Sequence, residues 1–523
     1  MKLSLLIFSL INLILYLVGA FLPDLKILQL EEYNILKLFK HNIKYCVVRS
    51  LLYLFPLLGL VSFLLNDYNT RIIYTFCTLS IMFVLTLILS IRSIILNIFP
   101  KYTKRIKRKI TLFALLSITM LFVSILYNSK SCTPYIMTTT IDLLTIGVYL
   151  IINISECVLC CFYLNLASKK LNKMEIKKIA ITGTYAKTSV KYMLSTLLEE
   201  KYSVISTPKS YNTANGLSMT IRNNDLTKYD IFIMEMGAKK KGDIKKLCKY
   251  FKPQYGVLTA IGIQHLETFK SVDSIAKTKR ELQENLVGDS IMVFNCNNEL
   301  VNTEYVNYTK NKISVGLVDA SGVDDCLYNV YAVIKSCNLD GLSFDIYYRG
   351  KFFCFAQSSL IGEHNIINIL LAVAMCIKLG LNGDQIRRGI SKLQYVESRM
   401  QPIEIGDNII INNGYNSNPA SADASLNLIK LYRDKYKIVI TPGFVEMGKE
   451  QYSLNYEFGK KIARVANECY IVNLINKKAI LDGLKSENFE GNVVLVDTFK
   501  QIDFSMFVNS VVLIENDLPE NYV

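Results

Sequence analysis

Residues Ile181–Met193 read ITGTYAKTSVKYM, the end of an apolar run, a short turn and the start of a helical pattern. The apolar run KKIAIT ends at Gly183, and Lys187 and Thr188 open a helical pattern, VKYMLSTLLEE. A strand, a tight turn, a lysine and a hydroxyl at a helix start are what phosphate binding needs. Backbone N–H groups and the helix N-terminus face the anion, the lysine reaches the terminal phosphates, and the hydroxyl offers an oxygen to Mg²⁺. Ala186 stands before the lysine, where phosphate loops normally place glycine. A Cβ there is tolerable at negative φ and costs about 1 kcal/mol or more at positive φ.

Downstream segments add hard oxygen ligands. YDIFIMEMG (229–237) reads as a second hydrophobic strand ending in Glu235, a carboxylate at a strand's C-terminal edge where Mg²⁺ needs one. YGVLTAIG (255–262) reads as a third strand, followed by Gln264 and His265. Residues 177–395 alternate strand and helix patterns, which predicts a mainly parallel, doubly wound α/β sheet. The segment 329–360 alternates with period two around Asp340-Gly341 and Arg349-Gly350, and reads as an inserted antiparallel hairpin. From about residue 400, IIINNGYNSNPAS, a helix and YKIVITPG begin a smaller Rossmann-like domain.

The region before residue 168 differs in kind. Apolar runs long enough to span a bilayer occur at roughly 3–23, 50–66, 73–99, 111–127 and 136–166. The first lacks a clear small-x-small cleavage site, so five helices are expected rather than a signal peptide. Lys26, Lys37, Lys40, Lys44 and Arg49 fall between the first two runs, and Lys101 to Lys109 carry six cations between the third and fourth. Lys169, Lys170, Lys173, Lys177 and Lys178 follow the fifth, whereas the remaining two loops hold only Arg71 and Lys130. The positive-inside rule then places the N-terminus outside and everything after residue 168 in the cytoplasm. The net charge of +15 suits an anionic cytoplasmic leaflet, and no basic run interleaved with aromatics points to nucleic acid. Asp142 and Glu156 fall in or near the last run, where an ionisable group is costly. The 13 cysteines show no paired metal-type spacing and read as small buried hydrophobes of a reducing compartment, with the Cys157, Cys160, Cys161 cluster open to metal or lipid attachment.

ITGTYAKTS, STPKSYNTANG, IFIMEMGA, LTAIGIQHLE, SIAKTKREL, LIGEHNIINILLAVA, VESRMQPIE and GYNSNPAS occur in this order across about two thirds of the chain. In that ordered set the soluble part resembles the Mur ligase family, and within it the ligases that add D-alanyl-D-alanine to a UDP-muramoyl tripeptide. The resemblance implies a membrane region over 1–168, a central ATP-binding domain over 175–395 with a phosphate loop and parallel sheet, and a Rossmann-like domain over 396–523. It implies ATP and Mg²⁺, with Gly183, Thr184, Ala186, Lys187, Thr188 and Ser189 around the phosphates. Thr188, Glu235, His265 and Lys279 are the implied metal residues, Lys279 through a carbamate that turns a cation into an anionic oxygen ligand. Asn365 and Asn368 would contact the adenine side, Arg399 the phosphates, and Asn413, Tyr415, Asn416 and Asn418 the closed site. Asn212 and Thr213 would face the substrate's carboxyl end.

Catalysis implied in this way rests on positioning and charge neutralisation by Lys187, Lys279, His265 and Arg399, with no protein nucleophile. A carboxylate would attack the γ-phosphate of ATP, and an amino acid or dipeptide amine would attack the acyl phosphate. Three features depart from the family pattern: Tyr185-Ala186 in the phosphate loop, Asn413 where aspartate is usual, and apolar helices where the family's UDP-binding domain stands. The expectation is a membrane-anchored, multi-pass ligase of peptidoglycan or envelope synthesis with its catalytic part cytoplasmic. Its carboxylate would be lipid-linked or a UDP-muramoyl peptide. A weakened, nucleotide-binding scaffold of an envelope-assembly complex is the alternative.

Overall fold

The computed structural model describes residues 7, 11–30, 35–52, 67–126, 141–319, 327–414, 417–473 and 475–516. By internal contacts the chain divides into two units, Met1–Cys161 and Phe162–Val523.

The first unit is helical. Its first described helix passes through a π-helical turn at Leu17–Phe21 into α1 (Leu22–Leu30), and α2 (Ile35–Tyr45) and α3 (Val47–Leu52) follow. The long helices are α4 (Tyr68–Ile95), α5 (Lys104–Leu126) and α6 (Ile141–Asn172), the last running on into the second unit. Its interior combines an apolar cluster around Tyr16, Phe21, Leu25 and Phe113 with paired polar groups. Arg49 pairs with Asp24 at 2.7 Å, both buried, Asn42 donates to the same carboxylate at 3.0 Å, and buried Lys109 donates to Asn153 at 3.1 Å. Meanwhile Ile81, Ile88, Ile91, Ile151, Ile154 and Val158 face outward. Buried charges are thus paired, while aliphatic side chains remain on the outside.

Among the described residues two helices are long and apolar enough to cross a membrane, Ile11–Gln29 and Thr145–Asn172. The run expected at 73–99 lies in α4, whose apolar portion Ser80–Ile95 is shorter, and the run at 111–127 lies in α5. The run at 50–66 falls almost wholly outside the described residues, as does the start of the run at 136–166. Glu156 is paired with Arg108, and the described cysteines are free thiols.

The second unit carries two sheets. In chain order the first part contains β1 (Lys177–Thr182), α7 (Lys187–Leu198), β2 (Val204–Ser206), α8 (Ala214–Asn223), β3 (Ile231–Glu235), α9 (Asp243–Phe251) and β4 (Tyr255–Leu258). It continues with α10 (Leu266–Phe269), α11 (Val272–Glu284), β5 (Ile291–Asn295), α12 (Glu299–Asn307) and β6 (Lys312–Leu317). Then come β7 (Val330–Asn338), β8 (Gly341–Tyr348), β9 (Lys351–Ser358), α13 (His364–Lys378) and α14 (Gly383–Ser391). The strands order β2-β3-β1-β4-β5-β6-β7-β8-β9, parallel through β7 and antiparallel from β7 to β9. The 329–360 segment is therefore not a separate hairpin. It is a three-stranded meander that continues the same sheet, because β7 keeps the parallel ladder of β6.

The β-branched runs of β1, β3 and β4 bury Ile179, Ile181, Ile231, Ile233 and Val257 against Val190, Leu194 and Leu197 of α7. Helix α13 is apolar throughout Ile369–Cys376, as a segment enclosed by a core must be, and packs Ile366, Ile369 and Leu370 into the same cluster. Truncating one such residue, Leu194→Ala, would cost about 2–5 kcal/mol.

The C-terminal part contains β10 (Gln401–Ile405), β11 (Asn408–Asn413), α15 (Pro419–Lys430), β12 (Tyr436–Thr441), α16 (Gln451–Ala463), β13 (Glu468–Val472), α17 (Lys477–Ser486), β14 (Asn492–Val496) and β15 (Ser510–Glu515). Its strands order β10-β11-β15-β12-β13-β14, parallel except for the β10–β11 hairpin. Helix α6 ends against the first sheet's helices. Lys170 donates to the carbonyls of Ile221 and Asn224 at the end of α8 (2.8 and 2.6 Å), and Ser168 donates to Tyr250 at 2.6 Å. Arg222 stacks on the Tyr163 ring at 3.8 Å.

Candidate active site

The C-terminal ends of β1, β3 and β4 converge, as the crevice rule for open α/β sheets requires. Gly183 follows β1 so closely that a Cβ there would lie 2.0 Å from the Thr259 hydroxyl, which excludes any other residue. Ala186 takes φ 64°, the left-handed conformation, immediately before α7. The unfavourable case foreseen for this residue therefore applies, at about 1 kcal/mol. Two contacts hold the loop in spite of it: Thr259 donates to the Tyr185 carbonyl at 2.5 Å, and Asn298 donates to the Tyr185 hydroxyl at 3.3 Å.

The Lys187 ammonium lies over this loop and donates to the carbonyls of Gly183 and Thr184 at 2.8 and 2.9 Å. The Thr188 hydroxyl donates to Glu235 at 3.0 Å, and Asn212 donates to the other carboxylate oxygen at 3.1 Å. Buried Lys191 lies 3.4 Å from the same carboxylate. Cations thus outnumber anions here. Desolvation lowers Lys187 to about 8, with Glu235 opposing and Arg399 adding to the shift. Desolvation, then the Lys187 charge, lowers Lys279 to about 7.

A cavity of about 340 Å³ opens over this cluster. Its walls hold Thr184 to Ser189, Asn212, Glu235, Asn365, Asn368 and Arg399 from the first part, and Asn413, Asn418 and Ser421 from the C-terminal part. Arg399 is set between two residues with left-handed backbone, Ser398 (φ 59°) and Met400 (φ 53°), so strain is concentrated where the two parts join. Asn365 is fixed by its own bond to the Ile361 carbonyl at 2.9 Å, and burial lowers the neighbouring His364 to about 4, keeping it neutral. Thr213 caps α8, accepting from Gly216 N at 3.3 Å.

Two expected metal residues stand outside the cavity wall. His265 (φ 52°) bonds through Nδ1 to Glu446, and Lys279 is buried in α11. Among the described residues no three His, Cys, Asp or Glu cluster as a metal cage. Magnesium often takes one or two carboxylates plus phosphate oxygens and water, so Glu235 with Thr188 is the donor set that fits it. Tyr415 and Asn416 lie outside the described residues.

Several site residues escaped the sequence reading. Lys191 sits one turn after Lys187 and could have been found by helical spacing. Asn295, Asn297 and Asn298 line the cavity at the end of β5, where the run NCNN was the signal. Glu515 lies under the cavity wall, ending an apolar strand, and burial pushes it up to about 7.

Residues 181–376 match the Mur ligase middle domain family. The chain is 30% identical over 292 residues to the UDP-N-acetylmuramoyl-tripeptide--D-alanyl-D-alanine ligase of Borreliella burgdorferi, covering 55% of this chain and 60% of that protein. The ligase of the same name from Escherichia coli is 26% identical over 299 residues, covering 56% and 64%. The chain thus spans less than two thirds of the length of these two relatives. In fold, MurF from Acinetobacter baumannii superposes with a TM-score of 0.59 at 20% identity, covering 68% of this chain and 77% of that one. MurF ligase from Thermotoga maritima in complex with ADP gives 0.59 at 23% identity, covering 68% and 80%. The matched residues 181–376 run through the first sheet into α13, and the solved structures share its α/β architecture.

Proposed function

We propose that this chain is a membrane-anchored, ATP-dependent ligase that joins a carboxylate to an amine in cell-wall precursor synthesis. The observation that carries the reading is the single cavity in which Lys187, Thr188, Glu235 and Arg399 face Asn413 and Asn418. Lys187 and Lys191 both face one buried carboxylate, Glu235, with the Arg399 charge bearing on the two lysines, and such an excess of desolvated positive charge suits a polyphosphate.

Lys187 and the loop N–H groups of Thr184 to Ser189 would hold the phosphates, Thr188 and Glu235 the Mg²⁺, Asn365 and Asn368 the adenine. Mg·ATP would supply a γ-phosphoryl group that converts the carboxylate to an acyl phosphate open to the amine. The chain's own part is to orient and neutralise: Lys187 and Arg399 bring fixed positive charge to the phosphates, and Asn212 and Thr213 face the carboxylate end of the substrate. His265 and Lys279 join as a second layer, Lys279 as a carbamate. The relatives' names make D-alanyl-D-alanine and a muramoyl tripeptide the first pair to try. The outward-facing aliphatic side chains of the first unit and the lysines that follow residue 168 support membrane anchoring with the catalytic part cytoplasmic, and admit a lipid-linked form of the same carboxylate.

A nucleotide-binding scaffold with weak turnover is the second reading, favoured by the left-handed Ala186. Phosphate release from ATP by the detergent-solubilised protein separates the two. Under the ligase reading, release requires both a carboxylate and an amine, and Lys187→Ala abolishes it. A Lys187→Ala protein as active as wild type would sink the ligase reading.

A further inference from the structure

Asn413 ends β11 and Glu515 ends β15, side by side in register on neighbouring parallel strands. Glu515 is fully buried. Both its oxygens accept from Nδ2 of Asn413 at 3.0 Å, one accepts from the Ser417 hydroxyl, and the other from the Ser425 hydroxyl at 2.5 Å. The next residue adds to the tie: Asn516 N donates to the Asn413 carbonyl, and Asn516 Oδ1 accepts from Ser417 N, each at 3.2 Å. One carboxylate therefore joins the end of β11, the residue before the α15 cap, and the second turn of α15. The side chains it fixes belong to the cavity wall: Asn413 itself, Asn418 at the α15 N-cap, and Ser421, which accepts from Asn413 Nδ2 at 3.0 Å.

A carboxylate surrounded by neutral donors is an expensive way to pack two strands and a helix. The charge that most bears on it is acidic, Asp423, which is itself paired with Lys461. What the carboxylate provides is an acceptor for three separate donors at one point, which no apolar residue can supply.

We propose that Glu515 is a positioning residue of the nucleotide site, acting through Asn413, Ser417 and Ser425 to set the C-terminal wall of the cavity against the bound nucleotide. The inference rests on the ATP reading above. Direct contact with the nucleotide is left to Asn413, Asn418 and Ser421.

The test reverses the direction of the central hydrogen bond. Glu515→Gln turns an amide toward the Asn413 amide, and Asn413→Asp turns a carboxylate toward the Glu515 carboxylate. The double variant, Asn413→Asp with Glu515→Gln, again pairs one acceptor with one donor. Binding of a fluorescent ATP analogue and steady-state kinetics are measured together with Tm. Glu515→Gln raises Kd for the analogue and KM for ATP about tenfold while kcat at saturating ATP stays within about threefold, and the double variant binds the analogue more tightly than Asn413→Asp alone. If a single variant fails to fold, Ser417→Ala, which removes one donor, carries the same KM-against-kcat test. Folded variants that bind the analogue as wild type does overturn the inference alone, as does a double variant no better than its worse parent. Wild-type protein that binds no ATP analogue overturns the ligase reading, and this inference with it.

Discussion

The Thr188 hydroxyl and the Glu235 carboxylate meet at 3.0 Å, joining the first turn of α7 to the last residue of β3. A hydroxyl and a carboxylate held together at the end of a phosphate loop form a ready pair of hard ligands. Replacing the hydroxyl without changing volume, Thr188→Val, should lower kcat about 10²-fold with little change in Tm. Isothermal titration with and without Mg²⁺ gives the companion result: Glu235→Gln should erase the difference between the two titrations.

Ala186 is held at φ 64° beside Lys187. Glycine pays no Cβ penalty there, so Ala186→Gly should stabilise the protein by up to about 1 kcal/mol, offset in part by the freer unfolded chain. Thermal denaturation would show this as a rise of about 1–2 °C in Tm for a unit of this size. If the strain limits closure of the loop on phosphate, KM for ATP falls in the same variant.

The first sheet was largely legible in the sequence because its signals are local. Apolar runs, Gly183 and the spacing of Lys187 and Thr188 predict β1, the loop and α7 from neighbouring residues alone. The 329–360 meander was legible as strands but not as part of the main sheet, since the β6–β7 ladder is a long-range pairing that no periodicity encodes. The site was legible wherever a side chain ends a strand, as Glu235 does. It was hidden where the partner comes from a distant strand: nothing near Asn413 announces Glu515, 102 residues away. The left-handed backbone at Ser398 and Met400 was equally silent, because neither residue type is one that favours it.

Lys279 gives the pH dependence its sign. As an unmodified amine it is held at about 7 in the folded chain, well below 10.5, so between these limits the unfolded chain binds more protons than the folded one. Stability should therefore rise with pH from about 7 towards 10.5 and be least below 7, and Lys187, held at about 8, adds in the same direction. Comparing Tm at pH 6.5 and 9.5 in wild type and Lys279→Met checks it: the variant should show the flatter profile. A depressed lysine also has the neutral amine that carbon dioxide requires. Protein equilibrated with ¹³C-bicarbonate should show a carbamate carbon resonance that Lys279→Arg lacks.

Arg399 lies between two strained residues at the junction of the two sheets and bears electrostatically on both Lys187 and Lys191. A planar guanidinium meets phosphate oxygens in pairs, and an ammonium does not. Arg399→Lys should therefore behave like Arg399→Ala, each losing about tenfold or more in kcat/KM for ATP. A lysine variant with wild-type kinetics would mean that only charge is used.

Acyl phosphate formation is the center of the account, and oxygen transfer reports it directly. The protein is incubated with ATP, D-alanyl-D-alanine and a muramoyl tripeptide, UDP-linked or lipid-linked, whose terminal carboxylate carries ¹⁸O. The phosphate released is then analysed by mass spectrometry. One ¹⁸O atom is expected in each phosphate formed, with the other retained in the new amide. Release of unlabelled phosphate alongside amide product would contradict it.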